Sequence, residues 1–210
     1  MAEIIPADAH AVTLAVRVMQ AGELIAYPTD TVYGLGAPAS DDNAVRKLFA
    51  VKGRQLSKPL PVLIADGLMA AWVAEVTPVA HTLAAKFWPG PLTIVMRKQP
   101  EFRSIALAKQ ETVALRVPAY DLVRDIIRGL GEPLTGTSAN RSGARAPVSA
   151  AEVAFQLGEM VSLVIDGGRS AGGIESTVID VSEEGGPRLV REGPVSREEL
   201  ERVLGRPVSQ

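Results

Sequence analysis

The residues able to do chemistry are grouped in short polar stretches spread along the chain. The first is Pro28–Gly36, PTDTVYGLG, where Thr29, Asp30 and Thr31 set two hydroxyls and a carboxylate side by side, followed by Tyr33. Gly34 and Gly36 would let the backbone turn sharply or approach a ligand closely. Taken alone, the stretch fits an ordinary surface turn as well as a small-molecule site at the end of a strand. The second is Lys52–Lys58. From Asn43 to Ala65 there are five basic residues, Arg46, Lys47, Lys52, Arg54 and Lys58, and no acid. A solvated basic face would explain them, and so would a phosphate site, since three of them share a loop with Gly53 and Pro59. The third is Arg116, at the end of TVALRV and before Pro118. It is either an exposed edge charge or a cation aimed at a ligand. The fourth runs from Gly136 through Ser138, Asn140 and Ser142 to Arg145, with no acid between Pro133 and Ala151. Glu175-Ser176-Thr177 and Arg191 complete the set. Cations, hydroxyls and glycines of this kind could hold a phosphorylated ligand, cations on the phosphates and hydroxyls or backbone on the rest.

The common alternatives fail on spacing. There is no GxxxxGK[ST] loop, and Gly34-Leu35-Gly36 lacks the third glycine and following helix of a dinucleotide fingerprint. Ser138 is not in a G-x-S-x-G elbow and has no nearby His. The chain has no Cys and only His10 and His81, both expected on helix surfaces, so disulfides and Cys- or His-based metal sites are excluded.

The elements that must carry these stretches can be placed from pattern. Helices are expected over Pro6–Ala21 with Asp8 as N-cap, from Asp41 or Asp42 to Ala50 with a break at Gly53, from Asp66 to about Ala74, and from Thr77-Pro78 to Phe87. Further helices are expected over Asp121–Arg128, from a Ser149/Glu152 capping box to Leu157, and from a Ser196/Glu199 box to Gly205. Strands are expected at Glu23–Tyr27, Pro61–Ala65, Leu92–Met96, Thr112–Val117, Pro133–Thr137, Ser162–Ile165, Val178–Val181 and Arg188–Arg191, with a rigid turn at Trp88–Pro91. Several strands follow one another without a helix between them, which points to an α/β fold with a mixed sheet flanked by helices.

At 210 residues and 47% hydrophobic content, with 4% aromatics, the chain suits one domain over 1–210 with a core of Val, Leu, Ile and Ala. The acidic N-terminus is no signal peptide and no apolar run is long enough to span a bilayer, so a soluble, cytoplasmic protein without membrane contact is expected. A net charge of −2 gives no global basic footprint.

Read together, PTDTVYGLG, the Lys52/Arg54 pair, KPLPVLI at Lys58–Ile64, WPGPLT at Trp88–Thr93, TVALRVP at Thr112–Pro118, the Ser138/Asn140 pair, IDGG at Ile165–Gly168 and ESTVIDV at Glu175–Val181 resemble the YrdC family, over nearly the whole chain and in order. The resemblance implies a twisted mixed β-sheet flanked by helices, with a large concave basic cleft. It implies threonylcarbamoyl-AMP synthase activity: L-threonine, bicarbonate or CO2 and ATP give threonylcarbamoyl-AMP and pyrophosphate. Mg2+ would accompany the ATP, and a tRNA threonylcarbamoyl transferase complex would use the product to modify tRNA. By position, Thr31, Arg116, Gly136 and Ser176 would contact threonine, and Arg54, Lys58, Thr112, Ser138, Ala146 and Arg191 would contact ATP. Lys52 and Asn140, with Arg54 and Ser138, would stand at the reacting centre. Longer members often carry Asn where this chain has Lys58 and His where it has Leu63, so no threonine contact is expected at position 63; ending at Gln210, the sequence resembles the short branch, without a further C-terminal domain.

Two rival classes use the same residues. One is a non-catalytic module binding tRNA or double-stranded RNA; scarce aromatics and the net negative charge weigh against it, although weak RNA binding fits beside catalysis. The other is a carbamoyl- or acyl-phosphate hydrolase.

Overall fold

A computed structural model describes residues 2–170, 173–183 and 185–210. In chain order the elements are β1 (Glu3–Pro6), α1 (Ala9–Gln20), β2 (Ile25–Tyr27), β3 (Gly34–Gly36), α2 (Asp42–Lys52), β4 (Val62–Leu63), α3 (Gly67–Val73), α4 (Pro78–Phe87), β5 (Leu92–Arg97) and β6 (Thr112–Arg116). They continue with α5 (Asp121–Leu130), β7 (Leu134–Thr135), β8 (Thr137–Ser138), α6 (Ala150–Leu157), β9 (Leu163–Asp166), β10 (Thr177–Asp180), β11 (Arg188–Arg191) and α7 (Arg197–Leu204). Among the described residues no helix is long and apolar enough to cross a membrane.

The strands form two mixed sheets, with orders β1-β9-β2-β3-β8 and β11-β10-β5-β6-β4-β7. The single mixed sheet expected from sequence is thus divided. The division falls at Gly136. Leu134 and Thr135 pair with β4 of the second sheet, whereas Thr137 and Ser138 pair with β3 of the first. A Cβ on Gly136 would stand 2.7 Å from Leu63 Cγ, so only glycine passes between the sheets there. The expected strand Pro133–Thr137 is therefore two short strands in different sheets.

Alternation along β2 and β9 builds two cores. Ala26 and Val164 join α2 and α6 in one cluster; Ile25, Tyr27, Leu163 and Ile165 face the other, shared with the second sheet and α1, α3, α4, α5 and α7. The helix starts follow their caps. Asp8, Asp41, Asp66, Thr77 and Ser149 each accept from a backbone N–H of the first turn, and Ser196 with Glu199 completes a capping box. Two expectations shift. Residues before Asp8 form β1 rather than helix, because they pair in parallel with β9, a partner far away in sequence. The reciprocal half of the box at α6 moves by one residue, since the Glu152 carboxylate accepts from Val148 N–H.

Gly34 and Gly36 do not make a sharp turn. They lie in β3, where an added Cβ would come within 2.6 and 2.7 Å of the Tyr27 ring. The ring is fully buried against this bare stretch of backbone, and its hydroxyl donates to Thr135 C=O at 3.2 Å. Gly36→Ala should therefore lower unfolding free energy by about 1–3 kcal/mol. Gly67→Ala, where no atom lies within 4 Å of the new methyl, should change it little. Urea denaturation of the two variants compares them directly.

Candidate functional site

A cleft of about 800 Å³ lies between the two sheets. Its floor is one face of the second sheet. Along β6, Thr112, Val113, Ala114 and Arg116 line it, and Val113 and Leu115 are also part of the core. Leu63 is in register with Arg116 and Val178 with Thr93, and all four line the cleft. The opposite wall comes from Gly34, the end of α2 and the loop after β8.

At one pole, Arg116 is held from three sides. Its Nη2 donates to Asp30 Oδ1 at 2.6 Å, Nη1 to Thr31 Oγ1 at 3.0 Å and Nε to Gly90 C=O at 3.0 Å. Asp30 Oδ1 also accepts from Ala119 N–H at 3.1 Å. The turn carrying Asp30 is closed on itself: Thr29 Oγ1 donates to Val32 C=O at 2.6 Å and accepts from Thr31 N–H at 3.1 Å. A guanidinium has five N–H groups, so two remain for a ligand, one on each terminal nitrogen. Ser176 and Thr93 stand nearby, their hydroxyls 2.8 Å apart and both buried.

At the other pole are Arg54 and Lys58, while Arg191 reaches Ser176 of the first. Arg54 braces its own loop, donating to Lys58 C=O at 3.1 Å and Pro59 C=O at 2.8 Å. Burial lowers its pKa, and the Glu175 carboxylate opposes that shift. Arg191 donates twice to Ser176 C=O, at 3.0 and 2.8 Å, and pairs with Glu175. Among the described residues, five cations and one carboxylate, Glu175, line the cleft.

Lys52 lines the cleft with its ammonium turned onto the protein. Its ammonium donates to Ser138 C=O, to Asn140 C=O at 2.9 Å and to Asn140 Oδ1 at 3.3 Å, which engages all three donors. Its own carbonyl accepts from Ser142 N–H at 2.8 Å. The Asn140 amide in turn donates to Arg141 C=O at 3.0 Å and Ala144 C=O at 2.6 Å. Lys52 and Asn140 thus shape the loop after β8 from within. The cause lies in the end of α2: Gly53 stops the helix in a left-handed conformation, and the last side chain folds onto the neighbouring loop.

Of the twelve site positions taken from sequence, eleven line this one cleft: Thr31, Lys52, Arg54, Lys58, Thr112, Arg116, Gly136, Ser138, Asn140, Ser176 and Arg191. Ala146 does not. The loop meets the cleft at Ser142, Gly143 and Ala144, and then turns away because Pro147 C=O accepts from Tyr33 N–H at 2.9 Å. Three residues were given no role from sequence. Asp30 sits in the most conspicuous motif but reaches the site only through Arg116. Glu175 opens ESTVIDV. Thr93 closes WPGPLT and is a hydroxyl inside the apolar run LTIVM.

The family model Sua5/YciO/YrdC, described as "Telomere recombination", matches residues 17–193. The chain belongs to this family. Among its relatives in the Sua5/YciO/YrdC family are proteins named threonylcarbamoyl-AMP synthase. One from Pyrococcus abyssi is 40% identical over 195 residues, covering 92% of this chain and 57% of the relative. One from Bacillus subtilis is 39% identical over 193 residues, covering 91% of this chain and 56% of the relative. The chain thus spans somewhat over half the length of these two relatives. The crystal structure of P. abyssi Sua5 complexed with L-threonine superposes with a TM-score of 0.92 at 37% identity, over 100% of this chain and 62% of that one.

Lys52 yields a pH-dependent signature. Burial first, and Arg54 second, lower its pKa from the ordinary 10.5 to about 8. Between these values the unfolded chain holds a proton that the folded chain has released, so this group makes stability rise with pH. The unfolding free energy of the wild type minus that of Lys52→Met, from urea titrations at pH 8 and pH 10, should therefore grow by on the order of 2 kcal/mol. A difference independent of pH would mean that the ammonium is as well solvated as a surface lysine.

Proposed function

We propose that this protein is a threonylcarbamoyl-AMP synthase. It condenses L-threonine, bicarbonate or CO2 and ATP into threonylcarbamoyl-AMP and pyrophosphate. The reading rests on a single cleft that holds both poles, in a chain whose fold and sequence match a relative crystallised with L-threonine.

The residues divide the work by chemistry. The two free N–H groups of Arg116, beside Thr31, take the carboxylate of threonine. Ser176 and the backbone at Gly136 complete that pocket. Arg54, Lys58 and Arg191 neutralise the triphosphate, with Thr112 and Ser138 as further contacts. Lys52 and Asn140 act on the reacting centre by fixing the loop that carries Ser138. The threonine amine attacks CO2 with loss of a proton, or bicarbonate with loss of water, to give a carbamate. A carbamate oxygen then attacks the α-phosphate, and pyrophosphate leaves. No step needs a covalent enzyme intermediate, so placement and charge neutralisation are the enzyme's contribution. That is nucleotidyl transfer.

Among the described residues no group of three or more His, Cys, Asp or Glu side chains could hold a metal, and Glu175 on the cleft wall is paired with Arg191. This donor set suits Mg2+ that arrives on the phosphates of ATP as part of the substrate. The product is a mixed anhydride, suited to a tRNA threonylcarbamoyl transferase complex in the cytoplasm, and the cations at the cleft suit weak contact with tRNA or double-stranded RNA.

Incubation with ATP, threonine and labelled bicarbonate should give threonine-dependent pyrophosphate and a labelled adenylate. RNA binding without that product would favour a binding module, and phosphate release without adenylate a hydrolase. Arg54→Ala should lower turnover roughly 10–100-fold, the worth of one charge-assisted contact. Arg116→Lys keeps the charge but loses the fork, and should raise the threonine concentration for half-maximal rate far more than that for ATP. Equal effects on both substrates would argue against a carboxylate clamp.

A further inference from the structure

Thr93 has no part in the roles above, yet its surroundings are those of a binding group. It is 1% exposed, lies in the run LTIVM of β5 and lines the cleft. β5 and β6 pair antiparallel with Ile94 opposite Leu115, and that register continued by one residue sets Thr93 opposite Arg116 on the same face of the sheet. On its other side Thr93 is in register with Val178 of β10, and its Oγ1 lies 2.8 Å from Ser176 Oγ. Among the described residues, the one other side-chain group on Ser176 Oγ is Arg191 Nη2, at 3.4 Å.

The donor count is informative. Two hydroxyls in contact use one hydrogen between them. One hydrogen and several lone pairs are left over, and both groups are buried. A buried hydroxyl with unused capacity is unfavourable unless something completes it. A carboxylate only accepts, and the two free N–H groups of Arg116 already serve it. An alcohol both donates and accepts, as the leftover pair requires.

We infer that Thr93 is a specificity-determining positioning residue: it aims the Ser176 hydroxyl so that the pair reads the β-hydroxyl of the amino-acid substrate beside Arg116. The inference rests on the proposed synthase reading and deepens it. A site built to bond a hydroxyl rejects an analogue without one strongly, because its own polar groups are then left unpaired. Valine is that analogue, with a methyl in place of the threonine hydroxyl.

The experiment measures adenylate formation with threonine and with valine, and the half-saturating concentrations of threonine and ATP, for the wild type, Thr93→Val and Thr93→Ser. Thr93→Val has nearly the same shape, and a thermal melt checks its fold. It should raise the threonine requirement and reduce the threonine-to-valine preference by roughly 10-fold, the scale of one buried hydrogen bond, with the ATP requirement much less affected. Thr93→Ser should restore the preference. An unchanged preference in Thr93→Val, or an equal loss for threonine and valine, would overturn the inference and make Thr93 a packing residue or a carboxylate contact. So would a Thr93→Ser variant as unselective as Thr93→Val. A wild type that makes no threonine-dependent adenylate would instead overturn the synthase reading itself.

Discussion

The site depends on one buried ion pair. Arg116 stands at the end of a strand of the second sheet, and Asp30 lies in the turn that leaves the first. Their side chains are 8% and 16% exposed, so neither charge is well hydrated without the other. The pair therefore fixes how that turn meets the second sheet. Thr31 and Gly90 complete the shell of the guanidinium, which leaves its orientation little freedom. Pairs of this kind add little net stability compared with an apolar substitute, but losing one partner is expensive. What the pair provides here is a guanidinium with a fixed direction, two free donors and one open side.

The rest of the cleft repeats the same device with backbone carbonyls as acceptors, joined at Arg191 by the Glu175 carboxylate. Lys52 gathers the carbonyls of Ser138 and Asn140, Arg54 those of Lys58 and Pro59, and Arg191 that of Ser176. Each cation organises a loop before any ligand arrives. The proposed transfer, having no covalent intermediate, would depend on such order, because holding groups and charges in place would be the protein's contribution. Pre-formed cationic loops also reduce the reorganisation needed when a polyanion binds.

The cleft exists because the chain changes sheets. Gly136 permits the crossing, and Tyr27, packed flat on the bare backbone of Gly34 and Gly36, anchors β2 against β3 while its hydroxyl reaches β7. Small residues at these points are as necessary to the site as the charged ones. They let two sheets approach closely enough for loops from each to share one space.

Much of this was legible without coordinates. Local chemistry marked the helix starts at Asp8, Asp66, Thr77, Ser149 and Ser196 and narrowed that of α2 to Asp41 or Asp42, since an N-cap involves residues three apart. The polar motifs marked the stretches that line the cleft but fitted ordinary turns and solvated charges as well; the family resemblance is what singled out their residues. The sequence also carried the family. Tertiary structure alone decided which partner each group found. It separated one expected strand into two at Gly136, turned Lys52 inward onto the loop at 138–142, carried Ala146 away from the cleft, and joined Asp30 to Arg116 and Thr93 to Ser176, residues more than 80 positions apart. The reason is physical. Propensity and capping act within a turn or two of chain, whereas an ion pair or a hydroxyl contact across two sheets is fixed only when the whole core has closed around it.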